Sequence, residues 1–414
     1  MSVQAMMTLG LFVVVVILLI WQPISPILTS VGIPLALTLL GIIKPAQAFT
    51  QFSNPTIIFF MSLLVVGGAI FKTGLADFLG EKIISLTGKG ERGVITGTAL
   101  VSGTISAFMN DTGTTGCLMP IVASVAKKSD VSLSKCYMIL AFFASVGGTI
   151  TLIGSGAHIV VQGVLENAGV PGFDFFEFTP FGLSFAVISM IWLYFFGIKG
   201  LPVHEVNEAD IPPTAERNKI KMIIVSIVFL FIVYCMASKL LAMHIAAALG
   251  AFLVVITGCI SIDDAIKSFS MSTLFLVAGI FVLSSALATT GAAKVIIMYL
   301  SGQLAGLHPI IVIFGVCLVT LVATNFMMGT SLSAILAPMS ILISQACNLP
   351  PHALAIAVAI CSSGAFCTPI GTGPNLLIYD IGGYSFKDYA VSGLAYEIFM
   401  LVICTFGIYA YYVM

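Results

Sequence analysis

Apolar runs close to the length of a membrane span recur along almost the whole of this 414-residue chain. Only 8% of its residues are charged, and 59% are hydrophobic. A soluble domain carries about 25% charged residues, so this chain has too few charges to cover a water-facing surface. The pattern therefore predicts an all-α protein that crosses the membrane several times. The first run has no basic segment before it and no clear cleavage site after it, so we interpret it as a span and not a signal peptide.

Ten of these runs are predicted to be transmembrane helices, because each approaches the roughly 20 residues that a helix needs to cross the hydrocarbon core. A polar stretch, 199–219, divides them into two groups of five. The ten runs lie at 6–21, 27–43, 56–72, 134–152 with a continuation to 165, 179–198, 220–236, 243–260, 271–290, 352–379 and 392–412.

Two further apolar regions, 92–126 and 308–345, are interrupted by polar residues near their middles. Each half of such a region has about 15 residues, or roughly 22 Å of helix, which is too short to cross a hydrocarbon core of about 30 Å. A helix pair that enters the membrane, turns at mid-depth and leaves on the same side fits this length. We therefore predict two re-entrant hairpins.

The two halves of the chain match each other at an offset of 217 or 218 residues. TLIGSGAH (151–158) aligns with TPIGTGPN (368–375), and FMNDT (108–112) aligns with FMMGT (326–330). Five spans per half is an odd number, so the second copy would cross the membrane upside down, as in many secondary transporters. We expect two inverted repeats, 1–198 and 220–414, each with five spans and one hairpin, joined by the linker 199–219.

Basic residues fall mostly on one side of the membrane in this arrangement. Thirteen of the sixteen Lys and Arg residues lie on the side reached after the first span, and only Lys44, Lys239 and Lys294 lie on the other. By the positive-inside rule the first of these sides is cytoplasmic. The sequence thus predicts a multi-pass protein of the cell membrane with both termini outside the cytoplasm and the linker 199–219 inside it.

Irregular backbone is predicted at mid-membrane depth in four places, the hairpin tips near 109–112 and 327–330 and the helix breaks at 153–158 and 370–375. Glycine and proline do not continue a helix there cheaply. Each place begins a new half-helix, whose N-terminus favours an anion, while unwound carbonyl groups can hold a cation. The pattern indicates one binding region for an anion with flanking cations. The alternative is two kinked helices and two hairpins that only pack.

The break regions carry a resemblance to a known family. SSGAFCTPIGTGPNLLIYDIGGYSFKDYAVSGL (362–394) is similar to the Pro-Ile-Gly-Thr-Pro-Pro-Asn region of the divalent anion/sodium symporter family, and GGTITLIGSGAH (147–158) is a weaker first copy. The resemblance extends over nearly the whole chain. It implies ion-coupled, sodium-driven transport of a small divalent anion, such as a di- or tricarboxylate or sulfate. It also implies a homodimer with elevator-type alternating access.

The resemblance also implies site residues, because family members have a Ser-Asn-Thr triplet at each hairpin tip that contacts substrate carboxylates and two sodium ions. The implied substrate-binding residues are Asn110, Asp111, Thr112, Gly329, Thr330, Thr372, Gly373 and Asn375. The implied sodium-binding residues are Ser106, Asn110, Asp111, Gly154, Thr324, Met327, Gly329 and Gly371, with Ser155 and His158 beside them. The expected partners are a small anion, Na⁺ or H⁺ and the lipid bilayer. Sodium ions aside, no cofactor is expected, and no nucleic acid.

The sequence departs from the family pattern at both tips. The second triplet, 328–330, has lost its Ser and its Asn, the first has Asp111 where the family has Asn, and His158 stands where an Asn is usual. Other members of the superfamily, sodium/proton antiporters and arsenite-type oxyanion efflux carriers, include some that place an acid beside an Asn here. Such an antiporter is therefore the alternative function. No catalytic constellation occurs in the sequence, so an enzyme is not expected, and two oppositely opening hairpins disfavour a channel.

Three polar residues within predicted spans or hairpins remain to be interpreted. An acid at the bilayer centre costs about 2.5–3.5 kcal/mol on insertion scales, whereas a helix cap contributes only about 1 kcal/mol. Asp111 is therefore predicted to bind a sodium ion or carry a proton, with helix capping as the alternative. His158 either shuttles protons or packs. Glu397, in the last span, is predicted to be a structural or interfacial acid.

Overall fold

The secondary structure is entirely helical in the computed structural model, which describes residues 2–21, 23–88, 90–206, 217–304 and 306–414. No strand occurs in these ranges, so the predicted all-α class is confirmed. Six helices in them are each long and apolar enough to span a membrane, and one bent pair would add a seventh. Because the other apolar helices are shorter, the count of ten spans stays a prediction. The central part of the predicted linker, 207–216, lies outside the described residues.

The first half of the chain contains the two predicted helical interruptions at the expected places. Its helices are α1 Val3–Trp21, α2 Pro26–Leu39, α3 Pro55–Lys72, α4 Leu75–Leu86, α5 Glu91–Ser106, α6 Asp111–Lys128, α7 Leu133–Gly148, α8 Gly156–Asn167 and α9 Thr179–Phe195. Helices α5 and α6 form the first hairpin, and residues 107–112 are called the first tip. Residues 149–155, between α7 and α8, are called the first break.

The second half repeats this order, with one extra short helix. Its helices are α10 Lys219–Ala237, α11 Met243–Ile256, α12 Ile262–Lys267, α13 Met271–Thr289, α14 Ala292–Leu304, α15 Pro309–Thr324, α16 Gly329–Ala346, α17 Pro351–Ser362, α18 Gly373–Tyr379 and α19 Phe386–Tyr412. Helices α15 and α16 form the second hairpin. Residues 325–330 are called the second tip, and residues 363–372 the second break.

Backbone angles agree between positions that the sequence offset pairs. Gly41 and Gly258 both end a helix with a positive φ, of 68° and 69°, and Asp130 and Asn348 have φ values of 54° and 55°. Few non-glycine residues adopt this left-handed conformation, so its recurrence at matched sites is informative. These matches favour an internal duplication. The opposite orientation of the two copies in the membrane stays a prediction.

Two buried helices, α7 and α17, stand at the centre of the molecule. Every residue of α7 from Cys136 to Gly148 is buried, and so is every residue of α17 from Ala353 to Ser362. A helix that is apolar on all sides is expected in such a central place. Both arms of the first hairpin pack on α7, and both arms of the second pack on α17. The hairpins are therefore held against the two central helices.

The two halves also interlock around the breaks. Helix α8 of the first half packs on α16 of the second hairpin, and α18 of the second half packs on α6 of the first hairpin. Helices α1, α2, α3, α10, α11 and α13 pack mainly on one another, with α2 on α13 and α3 on α11, and α13 also packs on α8 and α16. The fold thus consists of an interlocked bundle that contains both tips and both breaks, and a second bundle beside it.

Candidate functional site

A cavity of about 1000 Å³ lies where the two tips and the two breaks meet. Its wall is completed by apolar side chains of α3 and by Phe229 of α10, from the neighbouring bundle. The predicted site residues in the wall are Asn110, Asp111, Thr112, Ser155, Gly329, Thr330, Gly371, Thr372 and Gly373. The structure therefore brings residues from all four predicted irregular segments to one place.

The first tip is organised by Asn110, which caps helix α6. Its Oδ1 atom accepts hydrogen bonds from the backbone N–H groups of Thr112 (3.0 Å) and Gly113 (3.2 Å), which are donors that a helix start leaves unpaired. Asp111 is the first residue of α6 and not its N-cap, although its Oδ1 atom also accepts from the N–H of Thr112. The capping function is already supplied by its neighbour.

The carboxylate of Asp111 is satisfied on one side only. Its Oδ1 atom accepts from the backbone N–H of Thr112 at 2.7 Å and from the Thr112 hydroxyl at 3.3 Å. Within the described ranges Oδ2 accepts no hydrogen bond, and no basic side chain pairs with this acid. A carboxylate that faces a cavity in an apolar protein without a countercharge is a ready ligand for a cation or a proton.

The second tip is built differently. Met328 precedes helix α16 and supplies no side-chain cap. Instead, the backbone N–H of Gly329 donates to the carbonyl oxygen of Gly371 in the second break, at 3.2 Å. A Cβ atom on Gly329 would lie 1.9 Å from the carbonyl oxygen of Ser362, so only glycine fits. The second tip therefore touches α17 and its break through backbone atoms.

Each tip also packs on the break of the other half. A Cβ atom on Gly373 would lie 2.0 Å from the Thr112 hydroxyl oxygen, and one on Gly156 would lie 2.9 Å from the Thr330 methyl group. A hydrogen bond of 2.8 Å from the Ser363 to the Ser155 hydroxyl joins the two breaks directly. The sequence offset pairs Thr112 with Thr330 and Gly156 with Gly373, so the site has an approximate two-fold arrangement.

The hydroxyl groups predicted to lie beside sodium are engaged with backbone carbonyls. Ser106 donates to Ala144 at 2.6 Å, and Thr324 donates to Ser362 at 2.9 Å. Both residues are fully buried and sit at the end of the first arm of their hairpins, behind the tips. They fix the arms against α7 and α17, and neither lines the cavity.

Asn375 and His158 hold the breaks together and do not line the cavity. Asn375 donates through Nδ2 to the carbonyls of Ala365 (2.8 Å) and Thr368 (3.0 Å). His158 Nδ1 lies 2.9 Å from the carbonyl of Thr151, so this nitrogen must carry the proton. The His158 ring also stacks on Phe178 at a centroid distance of 4.1 Å. The packing interpretation of His158 fits this environment, and the direct substrate contact predicted for Asn375 does not.

Gly154 and Met327, the other predicted sodium-binding residues, also lie just behind the cavity wall. Gly154 packs on Gly148. A Cβ atom on Gly148 would lie 3.0 Å from the Gly154 carbonyl oxygen and 3.8 Å from the Cβ atom of Asp111. The space beside Gly148 is therefore bordered by the Gly154 carbonyl and by the Asp111 side chain. Met327 is buried, with 7% of its surface exposed.

The structural role predicted for Glu397 fits its environment, although the sequence does not identify its partners. The Oε1 atom of this acid accepts hydrogen bonds from the backbone N–H groups of Phe366 (3.1 Å) and Cys367 (3.0 Å) and from Asn325 Nδ2 (2.8 Å). It therefore connects the last helix to the second break and the second tip. The sequence signal was present, since an acid inside an apolar span is rarely without partners.

Comparison with known proteins places this architecture among membrane transporters. The model of a family described as citrate transporter matches residues 16–360 and 233–414. A sodium-dependent dicarboxylate transporter of Staphylococcus saprophyticus is 22% identical over 93% of this chain and 82% of its own length. An uncharacterized transporter of Synechocystis is 29% identical over 182 residues, and there the match spans 44% of this chain and 29% of that protein.

A solved structure shares the fold. The YdaH transporter of Alcanivorax borkumensis, described as having an unusual topology, superposes with a TM-score of 0.60 over 91% of this chain and 88% of that one. Its sequence is only 12% identical, so the likeness concerns the fold alone.

Proposed function

This chain belongs to the citrate transporter family, and from that premise we propose that it is an ion-coupled secondary transporter of a small divalent or trivalent anion. Di- and tricarboxylates are the first candidate substrates, and sulfate, a smaller anion, is a further candidate. Sodium is the coupling ion that the relative from Staphylococcus saprophyticus suggests, and a proton is the alternative. The observation that carries the proposal is the charge of the cavity.

The described residues that line the cavity include two acids, Asp111 and Asp380, and no lysine, arginine or histidine. The starts of α6, α8 and α16 meet at this cavity and direct the positive ends of their helix dipoles toward an anion. These partial positive charges attract an anion, whereas the full negative charge of Asp111 repels it. A dianion can therefore bind well only when a cation or proton neutralises that carboxylate. Coupling follows from this electrostatic requirement.

The cation would be held by the carboxylate of Asp111 with the carbonyl of Gly154. Oxygen atoms of carboxylates and carbonyls are suitable ligands for a hard cation. The substrate would bind between Thr112 and Thr330, with Thr372 beside them. Asn110, whose Oδ1 atom caps α6, would keep the first tip in place without binding the cation.

Transport would require the interlocked bundle to move against the bundle of α1, α2, α3, α10, α11 and α13. On the predicted topology, the cavity wall reaches residues beside cytoplasmic lysines, such as Phe71 next to Lys72, so the cavity would face the cytoplasm. Elevator-type movement and a homodimer, in which the second bundle is the stationary part, are proposed from the resemblance to the symporter family.

A thermal-shift experiment tests the proposal on purified protein. Citrate, succinate, sulfate and arsenite would each be added in sodium chloride and in choline chloride, at two pH values. A ligand at 100 times its Kd stabilises the folded state by about 2.7 kcal/mol. We expect a carboxylate to raise the melting temperature in sodium, or at low pH if the proton is coupled, and not in choline at high pH.

The antiporter alternative predicts a different pattern in the same experiment. Sodium or acidification alone would change the melting temperature, and no carboxylate or sulfate would add to that change. A stabilising effect of arsenite alone would indicate an oxyanion efflux carrier. If no anion shifts the melting temperature under any of the four conditions, the proposed function is wrong.

A further inference from the structure

We propose that Glu397 does in the second half of the protein what the coupling cation does in the first, namely hold the hairpin tip against the helix break. The second half is then permanently assembled, and only the first half responds to the coupling cation. One cation, not two, would accompany each anion. This inference rests on the proposed function and concerns the number and place of its coupling ions.

The carboxylate of Glu397 joins two segments that otherwise belong to different helices. Asn325 is the first residue of the second tip, and Phe366 and Cys367 belong to the second break. All three donate to the same oxygen atom of Glu397, at 2.8, 3.1 and 3.0 Å. Hydrogen bonds to a charged acceptor are roughly twice as strong as neutral ones. One internal negative charge thus fixes the tip to the break.

The carbonyl group that a cation would use in the second break already has a partner. Gly371 accepts a hydrogen bond from the backbone N–H of Gly329 at 3.2 Å. The atoms paired with these by the sequence offset, the Gly154 carbonyl and the Asp111 N–H, make no such bond in the described part of the first half. The first half therefore keeps a carbonyl without this partner and, at its tip, a carboxylate with one free oxygen, while the second half has closed.

The connection through Glu397 exists only in the second half. Asn325 is paired by the offset with Ala107, which has no side-chain donor, and α9, the counterpart of α19, contains no acidic residue. In the first half the acid is at the tip itself, as Asp111, and faces the cavity. The two acids are complementary: one is saturated by protein donors, and the other is left with a free oxygen.

Amide hydrogen exchange measures the two halves separately and does not require the substrate to be known. The wild-type protein in detergent would be compared in sodium chloride and choline chloride, and at two pH values. We expect the coupling ion to slow exchange in peptides covering residues 107–113 and 149–155. Peptides covering 325–330 and 363–371 should be protected to the same degree under all conditions.

The Glu397→Gln variant supplies the second readout. It removes the charge while keeping an acceptor oxygen, so exchange at residues 366 and 367 should accelerate by about tenfold or more, whatever the cation. The response of the first half to the cation should persist with an unchanged half-saturating concentration. Glu177→Gln is the matched control, because Glu177 is a half-buried acid that accepts from Tyr412 far along α19, and it should leave both tips as in the wild type.

Three outcomes would overturn the inference. The first is protection of the second tip and second break by the coupling ion as strong as that of the first tip and first break, and the second is protection of neither half. The third is wild-type exchange at residues 366 and 367 in the Glu397→Gln variant. None of these depends on anion binding. Failure of the proposed function is recognised separately, as the absence of any thermal shift with an anion.

Discussion

Replacing Asp111 by asparagine is expected to abolish the cation dependence of anion binding and to make the cation-free protein more stable. The Oδ2 atom of this carboxylate has no hydrogen-bond partner among the described residues, so its charge is not compensated within the protein. Neutralising an uncompensated charge in a largely apolar environment should stabilise the fold by about 1–3 kcal/mol, which raises the melting temperature by roughly 2 °C or more. Anion binding would then no longer require sodium or acid.

The stability change distinguishes ion binding from a structural role. Asn110→Ala removes the true cap of α6 and should destabilise the protein by about 1 kcal/mol, while the cation dependence of binding remains. Melting temperatures of both variants, measured with the anion in the presence and absence of sodium, test these two predictions. An Asp111→Asn protein that is less stable than the wild type and still needs the cation would contradict the role given to Asp111.

Replacing Gly329 by alanine is expected to disrupt the second tip and reduce anion binding by about 100-fold or more. The added methyl carbon would lie 1.9 Å from the Ser362 carbonyl oxygen, which belongs to the buried backbone of α17 and cannot rotate away. Overpacking of a well-packed interior costs typically about 1–3 kcal/mol. The tip would also move away from Gly371 and lose the 3.2 Å hydrogen bond to it. Anion-dependent thermal shift measures the loss.

A second glycine in the same hairpin provides the matched control. Gly315 lies within α15, and a Cβ atom there would meet no other heavy atom within 4 Å. Gly315→Ala should therefore be neutral, or should stabilise the protein slightly through the better helix propensity of alanine. If Gly329→Ala binds anions as well as Gly315→Ala does, the close approach of the second tip to α17 is not required for function.

The interruptions of the helices could be predicted from the sequence because their causes are local. The hairpin predicted at 92–126 is formed by Glu91–Ser106 and Asp111–Lys128, whereas the break predicted at 153–158 lies earlier, at 149–155, because α8 already starts at Gly156. Glycine residues and polar residues mark these points within otherwise apolar runs. The sequence offset between the two halves also predicts which tips and breaks correspond to each other. This correspondence cannot be read from any single segment.

The contacts of individual side chains could not be predicted in the same way. Asn110 and Asp111 are adjacent and both suit a helix start, so only the backbone geometry shows which of them caps α6. His158 and Asn375 sit beside the breaks in the sequence, but their side chains turn toward the loop carbonyls and away from the cavity. Glu397 lies far along the chain from both of its partner segments, and its role depends on how α19 packs.

The asymmetry of the two tips was visible in the sequence, although its consequence was not. Residues 328–330 lack the Ser and Asn side chains that the family resemblance would place beside a second sodium ion. The structure offers a physical reason, because Gly329 and Glu397 close the second half with bonds internal to the protein. Comparing the tip triplets 110–112 and 328–330 does not show this difference, since the compensating acid, Glu397, lies in α19.

Uptake by proteoliposomes tests the central claim, coupled anion transport through this cavity, most directly. Radiolabelled citrate, succinate and sulfate would be offered to vesicles with an inward sodium gradient, an inward proton gradient or neither. We expect one gradient to drive at least one of these anions to an internal concentration above the external one, and Asp111→Asn vesicles only to equilibrate it. Equal, gradient-independent uptake by wild-type and control vesicles would contradict the account.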